Sequence, residues 1–207
     1  QSVGGRQFEV DNLDQLEWVG RYLGRIHSVG ASHAFHHRVR LDVESMLHEP
    51  RQLLAAGEWL PSGLAKSFFG VLDELIRHVC DAMTLDVARI SLHGDCHPGN
   101  ILWRDGPLFV DLDDCRTGPA IQDLWMMLNG ERHEQQIQLD TLLAGYEEFM
   151  EFDPRELALI EPLRAMRIVH YMAWLARRWE DPAFPRHFSW FNTCLLYTSD
   201  AADEGLG

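Results

Sequence analysis

Apolar residues recur at three- and four-residue intervals near the start of the chain, which is the pattern of an amphipathic helix. This first run carries Leu13, Leu16, Val19, Leu23 and Ile26. Asp11 or Asn12 stands just before it and can cap the first turn. A second run of the same kind spans about residues 64–83. The irregular stretch between the runs carries histidines that we expect to be solvated, His33, His36 and His37. Helices are therefore predicted to precede any strand.

The pattern changes at the centre of the chain. Residues 89–93 are short and apolar enough for a strand, and residues 100–103 and 107–110 form two further candidate strands. Arg104, Asp105 and Gly106 join these two, and Asp-Gly between apolar runs is typical of a hairpin. Helical periodicity returns at Ile121 and continues in three segments, residues 121–128, 137–149 and 154–179. The predicted fold class is α+β, a mainly helical domain around a small central β-hairpin.

Composition narrows the class of protein. The 207 residues, 46% of them apolar, suffice for one substantial hydrophobic core. No run approaches the ~18 apolar residues of a membrane helix, and no signal peptide is visible at the start, so we expect a cytoplasmic protein with no membrane contact. A net charge of −14 disfavours nucleic acid as a partner. The four cysteines lack paired spacing and are expected to be reduced thiols in a monomer.

The candidate chemistry lies in residues 93–111. Residues 93–100 read His-Gly-Asp-Cys-His-Pro-Gly-Asn, and the predicted hairpin then leads to Asp111. Phosphoryl transfer from ATP needs a carboxylate that orients the acceptor hydroxyl and accepts its proton, and oxygen ligands that hold magnesium against the phosphates. Asp95 can be that base, and Asn100 and Asp111 can be the magnesium ligands. The hairpin reverses the chain, so we expect Asp111 to lie beside Asn100.

This His-Gly-Asp, Asn and late Asp pattern resembles the aminoglycoside phosphotransferase and choline kinase-like superfamily. Ordinary protein kinases differ, because they carry Arg where Gly94 stands. Residues 3–9, 92–130 and 159–188 are similar to bacterial stress response kinases of the RdoA type, which are Ser/Thr protein kinases. The likeness covers about residues 1–191. It implies the C-terminal lobe of a protein-kinase-like fold, with ATP as co-substrate, magnesium as cofactor and a protein Ser/Thr hydroxyl as acceptor.

The resemblance also assigns supporting residues. Leu102 resembles the apolar floor beneath the adenine ring, and Val110 lies beside it. Asp123 corresponds to a buried brace of the catalytic loop, although a helix-start carboxylate held by the helix dipole would also explain it. His93 is expected to be packed and hydrogen-bonded rather than to transfer protons. Asp113 either supports the metal or is solvated.

Some alternatives stay open at this stage. Asp95 alone would suit an exposed turn, an interpretation that Asn100 and Asp111 disfavour. His97 can touch the acceptor or lie on the surface. The same motif suits a small-molecule kinase acting on an amino alcohol, a sugar or an aminoglycoside. A pseudokinase that binds nucleotide without turnover is a third possibility, against which the intact triad argues.

The resemblance also implies boundaries. Residues 1–10 would end the hinge between lobes, residues 11–193 would form the C-terminal lobe, and residues 194–207 look like translated sequencing adapter. A glycine-rich phosphate loop and an ATP-binding lysine are expected upstream. We therefore expect these 207 residues alone to show no kinase activity.

Overall fold

The computed structural model describes residues 5–57, 60 and 63–188. The chain divides into two compact units, one of residues 1–41 and 86–160 and the other of residues 42–85 and 161–207. The expected tail, residues 194–207, lies outside the described residues, as do residues 1–4. The predicted hinge and lobe boundaries stay predictions.

The elements follow in chain order. The helices are α1 (Leu13–Ser32), α2 (Glu49–Ala56), α3 (Ala65–Ala82), α4 (Ile121–Trp125), α5 (Arg132–Tyr146), α6 (Ile160–Arg178) and α7 (Ala183–His187). The strands are β1 (Arg6–Gln7), β2 (Ile90–Leu92), β3 (Ile101–Trp103), β4 (Pro107–Phe109) and β5 (Arg116–Gly118). Short 3-10 turns cover Pro98–Asn100, Leu112–Asp114 and Pro154–Leu159, and a π-helical turn covers Glu44–His48.

Two small antiparallel sheets lie in the first unit. One has the order β1-β3-β4 and contains the predicted hairpin, with Leu102 opposite Leu108. At the hairpin turn Asp105 and Gly106 have φ values of 54° and 146°, a conformation that glycine and aspartate tolerate best. The other sheet pairs β2 with β5. The sequence pattern did not predict β1 and β5, because neither carries the apolar alternation of a strand.

Helix α1 follows the predicted amphipathic pattern. Its cap is Asn12, whose side chain accepts a hydrogen bond from the Gln15 N–H. Leu16, Val19 and Leu23 are fully buried, whereas Leu13 at the start of the stripe is 42% exposed. The stripe packs against α5 within the first unit. Helix α1 also contacts β2 and β4, so it packs against both small sheets of the first unit.

The last predicted segments differ in detail from the structure. Residues 154–159 form a 3-10 turn, because Pro154 follows the Asp153 cap and the regular helix begins only at Ile160. Helix α4 ends at Trp125, before the predicted end at residue 128, yet Met126 and Met127 are buried.

The second unit is helical in its described part. Leu54 of α2 and Met172, Leu175 and Ala176 of α6 form its buried core. Aromatic side chains pack around this core, among them Phe68, Phe69, Tyr171 and Trp174. Across the described residues no helix is both long and apolar enough to span a bilayer.

Candidate active site

Asp123 anchors the loop of residues 93–100, which connects β2 to β3. This aspartate is fully buried at the start of α4. Its Oδ2 accepts a hydrogen bond from the His93 N–H at 2.8 Å, and its Oδ1 accepts one from the Gly94 N–H, also at 2.8 Å. A buried carboxylate is tolerated only when it is well hydrogen-bonded. Asp123 thus fixes the backbone just ahead of Asp95.

Two buried residues, His27 and Tyr146, continue the hydrogen-bond network of Asp123 into the core. His27 Nε2 lies 3.0 Å from Asp123 Oδ2, and His27 Nδ1 lies 3.0 Å from the Tyr146 hydroxyl. Burial raises the pKa of Tyr146, and the charges of Glu156 and Asp123 raise it further. The phenol therefore keeps its proton. His27 Nε2–H donates a hydrogen bond to the carboxylate, and His27 Nδ1 is hydrogen-bonded to the Tyr146 hydroxyl. This chain of hydrogen bonds connects α1, α4 and α5 behind the loop.

Sequence reasoning missed His27 and Tyr146. A signal for His27 was available, because it continues the buried stripe of Leu16, Val19 and Leu23 at helical spacing. A polar residue at an apolar position of a helix needs a buried partner. No comparable signal in the sequence pointed to Tyr146.

The structure explains why residue 94 is glycine. Gly94 has φ +87°, and a Cβ there would lie 2.3 Å from the carbonyl oxygen of Asp114. Its own carbonyl oxygen accepts a hydrogen bond from Gln122 Nε2 at 3.1 Å. Only glycine combines this backbone conformation with such a close approach. The arginine of ordinary protein kinases would not fit at this position.

Asp95 and Asn100 lie together. Asn100 Nδ2 donates to the Asp95 carbonyl at 2.9 Å and lies 3.4 Å from Asp95 Oδ2. These bonds use the amide nitrogen and leave the amide oxygen, the atom that binds hard cations, for another partner. His97 Nε2 lies 3.6 Å from Asp95 Oδ2, while His97 Nδ1 accepts the Gly99 N–H at 3.1 Å. His97 is thus partly buried against Asp95 rather than a wholly exposed surface residue.

The end of the hairpin is held against the same loop. The Val110 N–H donates to the Asn100 carbonyl at 3.0 Å, and His93 Nε2 donates to the Val110 carbonyl at 2.9 Å. His93 Nδ1 lies 3.4 Å from the Asp95 N–H. Both ring nitrogens of His93 therefore face the backbone, which matches the packed histidine predicted from the sequence.

Asp111 follows directly after this anchored residue. It is exposed, and its backbone is left-handed, with φ 61° and ψ 66°. A residue other than glycine in this region costs of order 1 kcal/mol, and such strain concentrates at functional sites. The hairpin thus returns the chain at Val110 to Asn100, and Asp111 follows directly after Val110.

The other residues that the sequence predicted for the site are Leu102, Val110 and Asp113. Leu102 is half-buried in β3 between Gln7 of β1 and Leu108 of β4, and Val110 is also half-buried. The Asp113 side chain is exposed, and its carbonyl accepts Arg38 Nη1 at 2.5 Å. Asp114 forms an ion pair with Arg116 at 2.6 Å. Asp114 is therefore occupied by an ion pair, whereas Asp113 lies in the 3-10 turn that begins directly after Asp111.

The donor set suits a magnesium ion shared with phosphates. The described part of the chain contains no group of three or more His, Cys, Asp or Glu side chains that could hold a metal ion. One amide oxygen and one carboxylate, Asn100 and Asp111, are available instead. Magnesium commonly takes one or two protein oxygen ligands and completes its shell with water and substrate phosphates. The residues present fit that mode of binding.

The structure thus has a small antiparallel hairpin that joins an Asp-Asn loop to a late aspartate, an arrangement suited to phosphoryl transfer. The model of a phosphotransferase enzyme family matches residues 1–160. The chain belongs to this family. It is similar to stress response kinase A of Escherichia coli strain K12, with 59% identity over 189 residues. It is also 58% identical over 189 residues to the serine/threonine protein kinase RdoA of Salmonella typhimurium.

These relatives confirm the resemblance predicted from the sequence. Each alignment covers 91% of this chain and 58% of the relative. The chain thus spans less than two thirds of the length of these curated relatives.

Solved structures confirm the predicted fold class. The amicoumacin kinase hAmiN superposes with a TM-score of 0.65 at 21% identity, covering 86% of this chain and 56% of that one. A choline/ethanolamine kinase family protein of Mesorhizobium loti superposes with a TM-score of 0.57 at 16% identity, covering 99% and 73%. At these identities the likeness establishes the fold alone.

Proposed function

We propose that this chain carries the base and the metal ligands of a cytoplasmic, ATP-dependent Ser/Thr protein kinase. In this proposal Asp95 orients the acceptor hydroxyl and accepts its proton, and Asn100 and Asp111 bind magnesium. The observation that carries the proposal is the double anchoring of Val110. Because Asn100 and His93 both bond its backbone, Asp111 follows at the loop that holds Asp95.

The protein groups act mainly by positioning. Asn100 fixes the backbone of Asp95, and Asp123 fixes the two residues before it. A carboxylate held in this way can take the hydroxyl proton as the oxygen attacks the γ-phosphorus, while the bond from that phosphorus to the bridging oxygen breaks and ADP leaves. A bound magnesium ion would neutralise phosphate charge. Leu102 and Val110 would form the apolar floor under the adenine ring. Asp113 would support the metal site without being a direct ligand.

The nature of the acceptor rests on the relatives. The two curated relatives described above are named as kinases, and the Salmonella one as a serine/threonine protein kinase. Their identity to this chain is more than twice that of the superposed solved structures. A small-molecule acceptor is the second candidate, because solved proteins of the same fold include an amicoumacin kinase and a spectinomycin phosphotransferase. The higher identity favours the protein acceptor.

The test compares Asp95→Asn with wild type in the intact enzyme that contains this chain. Turnover with labelled ATP should fall by about 10²-fold or more, while nucleotide affinity stays unchanged, because the substitution removes the proton acceptor but keeps its shape. Asp105→Asn, on the same hairpin, is the matched control and should keep its turnover. Near-normal turnover of Asp95→Asn would show that Asp95 is not the base.

A second arm identifies the acceptor. The wild-type enzyme is offered a mixture of proteins and, separately, amino alcohols, sugars and aminoglycosides. Label on Ser or Thr of proteins supports the protein-kinase assignment. Label only on small alcohols would replace it with the second candidate.

A further inference from the structure

A basic stretch interrupts an otherwise acidic chain. The sequence holds 32 acidic and 18 basic residues, yet no Asp or Glu stands between Glu17 and Asp42. That interval contains four arginines and four histidines, Arg21, Arg25, Arg38 and Arg40 with His27, His33, His36 and His37. Arg21 is paired with Glu17 and Glu148, and His27 is buried against Asp123. Residues 31–40 within it are all exposed. The positive charge of this stretch is opposite in sign to the net charge of the chain, which is −14.

The end of the stretch forms the edge of a sheet. The Thr117 N–H donates to the Val39 carbonyl at 3.1 Å, and the Leu41 N–H donates to the Thr117 carbonyl at 2.8 Å. Arg40 lies opposite Thr117 in this parallel bridge, and β2 occupies the other side of β5. In parallel pairing, the residue between two bonded neighbours directs its own N–H and C=O the other way. The backbone of Arg40 therefore faces outward.

This edge adjoins the candidate active site. Arg38 Nη1 donates to the Asp113 carbonyl at 2.5 Å, two residues beyond Asp111. We call residues 33–40 the basic edge. An extended peptide that pairs with Arg40 would thus run beside the segment that carries a proposed metal ligand.

We propose that the basic edge docks an acidic, extended segment of the protein substrate, which adds to the sheet as a further strand next to Arg40. The inference rests on the protein-kinase function proposed above. Main-chain hydrogen bonds supply affinity in such strand addition, and side chains supply specificity. Carboxylates of the substrate would lie near Arg38 and Arg40. A nucleic acid fits less well, because its affinity requires many clustered cations, and the chain as a whole is strongly acidic.

The experiment measures binding of a fluorescent peptide to the 207-residue chain by anisotropy, without any phosphoryl transfer. The peptide is a serine flanked by glutamates, and its comparison peptide has glutamine at every glutamate. We expect the acidic peptide to bind about tenfold more tightly. Arg40→Glu should remove this preference, whereas Arg132→Glu, an exposed arginine at the start of α5, should retain it. N-methylation of the central peptide bonds should weaken binding.

Equal binding of both peptides, or an unchanged preference in Arg40→Glu, would overturn the proposal. Equal binding of a single-stranded DNA of the same charge would also overturn it, since the surface would then attract polyanions in general. Phosphorylation is assayed separately in the intact enzyme. Efficient protein phosphorylation without any acidic preference would overturn the docking site and leave the proposed function intact.

Discussion

At the scale of single residues, spacing in the sequence predicted a site of Asp95, Asn100 and Asp111, because the chemistry of the motif depends on local separation along one loop and one hairpin. The roles of these residues stay predictions. The partners behind that motif were not predictable in the same way. His27 contacts Asp123 across 96 positions and Tyr146 across 119. Hydrogen bonds between such distant residues follow from packing, which no local pattern encodes.

Asp111 has a strained backbone and a proposed role as a metal ligand. One substitution can test the two separately. Asp111→Asn should keep the stability of the fold, because asparagine tolerates the left-handed region as well as aspartate does. It should nevertheless raise the magnesium concentration required for turnover of the intact enzyme, since one anionic ligand is lost. Turnover is measured against magnesium concentration at saturating ATP.

The matched control for this prediction is Asp105→Asn. Asp105 is the other residue besides glycine with positive φ in the described chain, and it lies at the opposite end of the hairpin. It undergoes the same change of charge in a similar backbone conformation. If the magnesium titration of Asp111→Asn matches those of wild type and Asp105→Asn, Asp111 is not a metal ligand.

At the scale of elements, periodicity predicted that α1 is amphipathic but not how closely it approaches α5. Three glycines make this contact possible. A Cβ at Gly20 would lie 2.1 Å from the Leu142 carbonyl oxygen, and one at Gly145 would lie 2.1 Å from that of Glu17. Gly24 meets the Tyr146 carbonyl oxygen at 2.4 Å in the same way. Glycine inside a helix costs stability, and here the loss is offset by backbone packing.

Gly20→Ala should therefore destabilise the protein by about 1–3 kcal/mol, because the added methyl group meets backbone that cannot rotate away. Gly70→Ala is the matched control. Gly70 also lies inside a helix, α3, but a Cβ there meets nothing within 4 Å. This control should gain roughly 0.5–1 kcal/mol from helix propensity. Thermal unfolding followed by circular dichroism measures both; shifts of equal sign and size would contradict the close-packing explanation.

Glu156 joins the turn Pro154–Leu159 to α4. Its Oε2 accepts the Ile121 N–H at 2.8 Å at the start of that helix. Burial raises the pKa of Glu156 above its ordinary value, an effect that this hydrogen bond only partly opposes. The folded protein therefore holds the proton more tightly than the unfolded chain does. Ionisation at higher pH costs stability, and the stability contributed by the proton is lost as pH rises through the folded pKa.

Glu156→Gln should consequently stabilise the protein more at high pH than at low pH. Glutamine keeps an oxygen for the Ile121 N–H but cannot ionise. The difference in Tm between variant and wild type should be small near the ordinary carboxyl pKa of about 4.5 and should grow toward about pH 8. A difference that shrinks with rising pH would mean that the charged form of Glu156 is the favoured one.

At the scale of the whole molecule, the sequence predicted the fold class. Its prediction that helices precede any strand was wrong, because β1 precedes α1, and it did not predict the division into two units. Each unit is assembled from two separate stretches of chain, residues 1–41 with 86–160 and residues 42–85 with 161–207. Local periodicity indicates which faces are apolar without indicating which distant face covers each of them. Periodicity indicated the α+β class, and the resemblance to a family supplied the kinase-like fold, which periodicity alone could not.

Net charge is also a property of the whole molecule, and it predicts how the protein responds to salt. Thirty-two acidic residues against 18 basic ones leave a net charge of −14, which destabilises the compact state through repulsion. The opposing ion pairs, such as Arg51 with Asp73 and Arg155 with Asp153, are substantially exposed, and exposed pairs contribute little to stability. Repulsion spread over the surface should therefore outweigh these local attractions.

We accordingly expect the Tm of the chain to rise between about 20 mM and about 300 mM sodium chloride near neutral pH, because salt shortens the range of the repulsion. At about pH 5 carboxylates begin to protonate and histidines are charged, so the net charge falls and the effect should nearly vanish. A Tm that falls with salt near neutral pH would show that attractive pairs dominate. Binding of an acidic peptide to the basic edge should respond oppositely and weaken in the same salt series, since that contact is a local attraction within a repulsive surface.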